Sequence, residues 1–221
     1  MGSITRGLSN NITTGGVIAP AGITNDTVAN ITSFPNASGG TLMLLSTQTA
    51  SSSANISFTS GLDSTYDVYE LHFINVRPAT DAQALQFQGS TNGGSTYATT
   101  ITSSSFASYH YEDDSGTNLA YDTGYDLAQS TSYQKLTSQS TVGNGADEST
   151  SGVLQLFNPS STTYVKHFIC RLNNYDQVNI SVDGYTAGYF NTTSAINALN
   201  FNFPSGNIAD GVFKLYGLKK S

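Results

Sequence analysis

The chain has 221 residues, only 10% of them charged, and its 15 acidic and 8 basic side chains give a net charge of −7. This balance argues against nucleic acid as a partner, because such proteins need a basic surface. A single cysteine, Cys170, rules out an internal disulfide framework and a thiolate zinc cluster, and no apolar run approaches the ~20 residues of a membrane span.

Residues 1 to 51 differ from the rest of the chain and are predicted to form an extended N-terminal arm. Short apolar groups are separated there by glycine pairs and prolines. Such an arm cannot bury these groups by itself, so it must lie along its own domain or dock on another chain. The candidate anchoring residues are Ile4, Leu8, Ile12, Val17, Ile18, Val28 and Ile31. Residues 41 to 49, at the end of this region, suit either a first strand or a short helix.

The clearest strand in the sequence runs from Thr65 to Pro78. Tyr69, Leu71 and Phe73 fall on one face, whereas Val68, Ile74 and Val76 share the other face with polar residues. An alternation of period two in β-branched and aromatic residues is typical of a strand buried mainly on one side. A strand of this kind needs a second layer to cover its apolar face, which predicts a sandwich.

Turn signals divide the remaining sequence into short strands. Asn92-Gly93-Gly94 predicts a hairpin whose second strand covers residues 97 to 101, and Asp183-Gly184 predicts another hairpin. Residues 105 to 135 are expected to be irregular, and the final strand to run from Gly211 to Leu218. The first and last strands are candidates for neighbouring positions, while the rest of the strand order stays open.

About ten short strands without a convincing long helix indicate an all-β protein. We predict an antiparallel β-sandwich, jelly-roll-like, over residues 52 to 221. The arm of residues 1 to 51 precedes it.

The sequence offers little for catalysis or for binding a cofactor, and we expect neither. His72 and His167 lie inside predicted strands, and Cys170 lies in an apolar run that favours a buried, inert thiol. No pattern of transition-metal ligands is present, so no metal site is predicted. The acidic run of residues 111 to 116 leaves calcium as an alternative to a solvated loop. Paired carboxylates for glycoside hydrolysis are a weaker alternative, because such an enzyme usually needs a longer scaffold and a deeper cleft.

Tyrosines and carboxylates concentrate in the middle of the chain. Tyr109, Tyr111, Tyr121 and Tyr125 are candidate glycan-binding residues. Aromatic rings can stack on sugar faces, and loops at the end of a sandwich are a common place for binding sites. The alternative is that tyrosine is simply the default aromatic residue of a chain that has 13 tyrosines and no tryptophan.

Both ends of the sequence resemble virion appendage proteins of tailed bacteriophages. SITRGLSNNITTGGVIAP, followed by ITNDTVANIT, is similar to their N-terminal arms. ISFTSGLDSTYDVYELHFINVRPAT and the terminal IADGVFKLYGLK are similar to their β-domain. The group includes capsid decoration proteins, head fibres and tail fibres. The resemblance implies a homotrimer in the virion whose arm attaches to capsid or tail proteins and whose β-domain projects.

Two functions are therefore expected, and they are compatible. The first is a non-enzymatic structural protein of the virion, with no nucleic-acid or membrane partner. The second is a receptor-binding or carbohydrate-binding module that contacts host-surface glycans through the tyrosines.

Overall fold

A computed structural model describes residues 41–137 and 141–219, and within these residues the protein contains strands but no helix. The twelve strands are β1 (Leu42–Ser53), β2 (Ile56–Phe58), β3 (Val68–Pro78), β4 (Gln86–Ser90), β5 (Ile101–Tyr111), β6 (Thr117–Tyr121), β7 (Gln134–Lys135), β8 (Thr150–Phe157), β9 (Lys166–Asp176), β10 (Ile180–Phe190), β11 (Ala198–Asn202) and β12 (Ile208–Leu218). The predicted all-β class is confirmed.

The strands form two antiparallel sheets of unequal width. The larger sheet has the order β1-β12-β3-β8-β9-β10-β5-β6, and the smaller sheet has the order β2-β11-β4-β7. The first and last strands are neighbours as the sequence suggested, with Leu42 opposite Leu218. Since β1 begins at Leu42, the boundary predicted between residues 51 and 52 falls inside a strand of the sandwich.

The core lies between the two sheets and is rich in aromatic rings. The Phe87 ring of the smaller sheet lies 5.1 Å from Phe168 and 5.8 Å from Phe190 of the larger sheet, measured between centroids. Phe73 of β3 lies 5.3 Å from Phe201 of β11 in the same way. These contacts between layers confirm the predicted sandwich, and Tyr69, Leu71 and Phe73 are buried on the predicted core face of β3.

The prediction for Val76 was wrong, because β3 contains a β-bulge. Asn75 has a φ of 50°, and the register of β3 shifts between Phe73 and Val76 against β8. Both Ile74 and Asn75 are exposed, and Val76 is fully buried. One extra residue reverses the alternation, so every later side chain changes face.

The hairpin predicted at Asn92-Gly93-Gly94 was also wrong, although the turn itself exists. Gly93 and Gly94 have φ values of 71° and 88°. The neighbours of β4 are nevertheless β11 and β7, and residues 95–100 carry the chain to β5 in the other sheet. The turn therefore connects the two layers instead of two paired strands.

Asp183-Gly184 lies within β10 and forms no turn. The hairpin between β9 and β10 closes a few residues earlier, where the Asn179 N–H donates to the Asp176 carbonyl at 3.2 Å and Asn179 has a φ of 61°. The expectation of an irregular segment over 105–135 also needs correction, since β5 continues to Tyr111 and β6 follows. Residues 112–116 and 122–133 of that segment lie outside named strands.

The part of the larger sheet furthest from β1 has less cover than its centre. Beyond the main core, Ala107, Ile180 and Val182 form a separate small cluster with Tyr109 and Tyr111 packed against it. The smaller sheet ends at β7, whereas the larger sheet continues to β6. This difference in width leaves a step at one end of the sandwich, and the candidate site lies there.

Candidate functional site

Three of the four predicted tyrosines line one depression. Tyr109 and Tyr111 lie two residues apart in β5, on the face that carries buried Ala107. Their ring centroids are 5.8 Å apart in an edge-to-face arrangement. Tyr125 comes from the segment between β6 and β7 and lines the same depression, which has a volume of about 390 Å³. This volume lies within the usual range for small-ligand sites.

Polar groups from the β9–β10 turn border the tyrosines. Asp176 is only 3% exposed, and one of its carboxylate oxygens accepts a hydrogen bond from the Val178 N–H at 2.9 Å. The Gln177 side chain accepts a bond from the Thr141 hydroxyl at 2.8 Å. A tight turn thus places a carboxylate and an amide beside aromatic rings, an arrangement that suits a ligand carrying hydroxyl groups.

Tyr125 has the most strongly shifted phenol of the site. Its burial, together with the negative charges of Asp122 and Asp176, raises the pKa of Tyr125 to about 12. The Lys135 ammonium lies 4.5 Å from the centre of the Tyr125 ring. The Tyr125 phenol therefore stays protonated, and able to donate a hydrogen bond, throughout the physiological pH range.

Tyr121 does not join the other three tyrosines. It pairs with Phe106 on the opposite face of the larger sheet, and its hydroxyl donates to Asp126 at 2.6 Å. The alternation along β5 and β6 explains this, because Phe106 and Tyr109 point to opposite faces. We grouped Tyr121 with the other tyrosines only because it lies near them in the sequence.

A second depression adjoins the first at Tyr125, and the sequence did not indicate it. It has a volume of about 540 Å³ and is lined by Tyr125, Tyr133, Lys135, Gln86 and Asp126 among others. The Tyr133 hydroxyl donates to the Asn200 side chain at 3.1 Å. Tyr133 lies within the Tyr-rich region, but only the course of residues 122–133 across the step brings it beside Tyr125.

The other groups considered for chemistry have structural partners. In the acidic run, Asp113 accepts the Ser115 N–H at 3.0 Å, and a carboxylate oxygen of Asp114 lies 3.0 Å from His110 Nε2. Residues 41–137 and 141–219 contain no cluster of three or more His, Cys, Asp or Glu side chains that could hold a metal ion. Cys170 is buried as predicted, and its burial raises the pKa of the thiol.

His72 and His167 both lie on the outer face of the larger sheet. His72 Nε2 is 3.0 Å from a Glu70 carboxylate oxygen, and the His72 ring lies 4.7 Å from Tyr216. The His167 ring packs against Tyr189 at 5.9 Å. Both histidines thus have packing partners within the sheet.

The proposed anchoring residues lie outside the described residues. They are Ile4, Leu8, Ile12, Val17, Ile18, Val28 and Ile31.

No protein-family model matches the chain, and no curated protein is significantly similar to it. The described residues also form no helix that is long and apolar enough to cross a membrane.

Proposed function

We propose that this chain is a non-enzymatic structural protein of a bacteriophage virion. Residues before β1 attach it to a capsid or tail protein, and the sandwich, of jelly-roll-like type, projects from the particle as a homotrimer. The resemblance of both chain ends to phage appendage proteins is the observation that carries this proposal.

Physical features of the sandwich support a role as an inert particle component. Its two sheets share one continuous aromatic core, and its buried cysteine is protected from oxidation. Only 10% of residues are charged, so hydroxyl and amide groups keep the surface wet.

Deletion of residues 1–31 tests the attachment. The deletion retains all of β1, so the sandwich should keep its circular dichroism spectrum and its melting temperature. When supplied to a phage that lacks its own copy of the gene, the full chain should join the particles and the deleted chain should stay in the supernatant. Normal incorporation of the deleted chain would refute the attachment by residues 1–31.

Light scattering on both proteins tests the trimer. A trimeric mass for each would mean that the sandwich itself assembles. If only the full chain is trimeric, the first 31 residues hold the oligomer together. A monomeric full chain at micromolar concentration would refute the homotrimer.

A second function, binding of host-surface glycans, is favoured by the depression that Tyr109, Tyr111 and Tyr125 line together. Aromatic faces beside a carboxylate and an amide match the alternating apolar and hydroxyl surfaces of a sugar. A glycan array should show binding that the double variant Tyr109→Ala, Tyr111→Ala abolishes. Tyr164→Ala, which alters an exposed tyrosine that does not line this depression, is the matched control. An array without any signal would refute this second function.

A further inference from the structure

We infer that the two depressions that meet at Tyr125 form one extended site for a neutral oligosaccharide chain, with the Tyr125 side chain between two subsites. This inference rests on the glycan-binding function proposed above. It adds Tyr133 and Lys135 to the site and specifies the class and length of the ligand.

The Tyr125 backbone is held in place by two hydrogen bonds. Its carbonyl accepts a hydrogen bond from the side-chain amide of buried Gln134 at 2.7 Å, and its N–H donates to the Asp122 carbonyl at 3.2 Å. The first depression, with Tyr109 and Tyr111, and the second, with Tyr133 and Lys135, both include Tyr125 in their linings. A ligand that fills both depressions therefore passes Tyr125, the residue that they share.

Each depression has its own aromatic and polar groups. The first combines Tyr109 and Tyr111 with Asp176 and Gln177, and the second combines Tyr133 with Gln86 and Asp126. Their volumes of about 390 and 540 Å³ each lie within the range of a complete small-ligand site. Two adjoining depressions that are lined by the same kinds of aromatic and polar groups suit a ligand with repeating units better than a single terminal sugar.

The charges at the site favour a neutral chain over an acidic one. Burial and, after it, the negative charges of Asp122 and Asp176 raise the pKa of Tyr125, and Asp126 borders the second depression. The Lys135 ammonium, the cation at this site, donates to the Gly124 carbonyl at 3.2 Å and lies over the Tyr125 ring. A sialylated or uronic-acid chain would bring its own negative charge to these carboxylates, and like charges repel.

Calorimetry with oligosaccharides of increasing length tests the inference. The probes are malto-, cello- and N-acetylchito-oligosaccharides of one to six units, with sialyl-lactose and an oligogalacturonate as acidic comparisons. For the series that binds, affinity should increase by about tenfold between the disaccharide and the hexasaccharide, as one further aromatic contact would provide. The acidic probes should not bind.

Variants then assign the subsites. Tyr133→Ala should remove the gain with chain length and leave the disaccharide affinity within about twofold of the unmodified protein, because Tyr133 lines only the second subsite. Tyr109→Ala should weaken binding of every length. Since Tyr133→Ala also removes a hydrogen bond to Asn200, Lys135→Met serves as a second variant that alters the same subsite at the surface. Tyr164→Ala should bind like the unmodified protein.

The outcomes separate this inference from the function on which it rests. Binding that does not change with chain length, or a gain that survives both Tyr133→Ala and Lys135→Met, would refute the extended site and leave glycan binding intact. Preference for the acidic probes would refute the neutral ligand. If no probe binds, the glycan-binding function fails and this inference fails with it.

Discussion

The Arg171 guanidinium of β9 donates two hydrogen bonds to the Asp183 carboxylate of β10, from Nε to Oδ1 at 2.9 Å and from Nη2 to Oδ2 at 2.7 Å. The Tyr185 hydroxyl donates to the same carboxylate at 3.1 Å, and Arg171 lies over the Tyr185 ring. Paired bonds of this kind fix the geometry of both side chains. They hold Asp183 inside a continuous strand, at a position where its sequence suggested a turn.

Asp183→Asn should lower the melting temperature at neutral pH and change its dependence on acid. The hydrogen bonds from Arg171 are the main reason why the pKa of Asp183 lies below its usual value. For a lowered pKa, the stabilisation is complete above the unfolded value of about 3.9 and is lost as the pH falls through the folded value. Thermal unfolding between pH 2 and 7 should therefore show a difference from the unmodified protein that disappears at the acid end.

The matched control for this ion pair is Arg171→Gln, alone and combined with Asp183→Asn. If the pair is responsible, the double variant should be only slightly less stable than either single variant. Fully additive losses would contradict the coupling.

Phe87→Ala and Phe106→Ala should lower the free energy of unfolding by different amounts, because Phe87 lies in the core and Phe106 lies on the outer face. Phe87 is completely buried among three other phenylalanines, and its truncation should lower the free energy of unfolding by about 3–5 kcal/mol. Phe106 is 43% exposed and stacks on Tyr185 at 4.9 Å, so its truncation should cost about 1 kcal/mol or less. Urea denaturation measures both values, and equal losses would show that the sandwich core is not where the structure places it.

Gly211→Ala should be more damaging than Gly93→Ala, although both glycines have positive φ. Gly211, with a φ of 133°, faces the bulge of β3, and an added Cβ would lie 2.7 Å from the Val76 Cα. Because a backbone atom cannot move aside cheaply, we expect a loss of about 2 kcal/mol or more. Gly93 has a φ of 71° and open space around it, so only the conformational cost of about 1 kcal/mol remains. Chemical denaturation of both variants checks the order.

Tyr125→Phe should reduce the sensitivity of the protein to alkali. Burial, Asp122 and Asp176 together raise the pKa of Tyr125 to about 12. A raised pKa contributes stability that is fully present below the unfolded value of about 10 and is lost as the pH rises toward 12. The melting temperature of Tyr125→Phe should therefore fall less steeply between pH 9 and 12 than that of the unmodified protein. Tyr164→Phe, which changes an exposed tyrosine, should follow the unmodified curve.

Side-chain alternation made the class and the core of this fold predictable, because it follows from burial on one face. Tyr69, Leu71 and Phe73 illustrate this. Val76 does not follow the alternation, because Asn75 forms a bulge that nothing in the local sequence indicates. Turn signals were less reliable for a similar reason. Asn92-Gly93-Gly94 does turn the chain, but whether the next strand pairs with the previous one depends on the other sheet.

The candidate site was predictable in part. We named Tyr109, Tyr111 and Tyr125 as candidates from their composition. Tyr109 and Tyr111 share a face because they are two residues apart in β5, but we expected an irregular segment there and did not predict this strand. Tyr121 is separated from the others by the alternation along β5 and β6. The addition of Tyr125 and the presence of Tyr133 depend on how residues 122–133 cross the step between two sheets of unequal width. That path is a property of tertiary packing, and no local pattern encodes it.

The pairing of β1 with β12 extends to the ends of the described sandwich, where the Lys219 N–H donates to the Thr41 carbonyl at 2.9 Å. The sandwich therefore starts and finishes at a single point on its surface, a geometry that favours circular permutation. A short linker between these two ends, with new termini opened at the exposed residues 162–164 of the β8–β9 loop, should preserve both sheets and the candidate site. A fluorophore or affinity tag is better placed in that loop than after residue 219, where it would crowd the entry to β1.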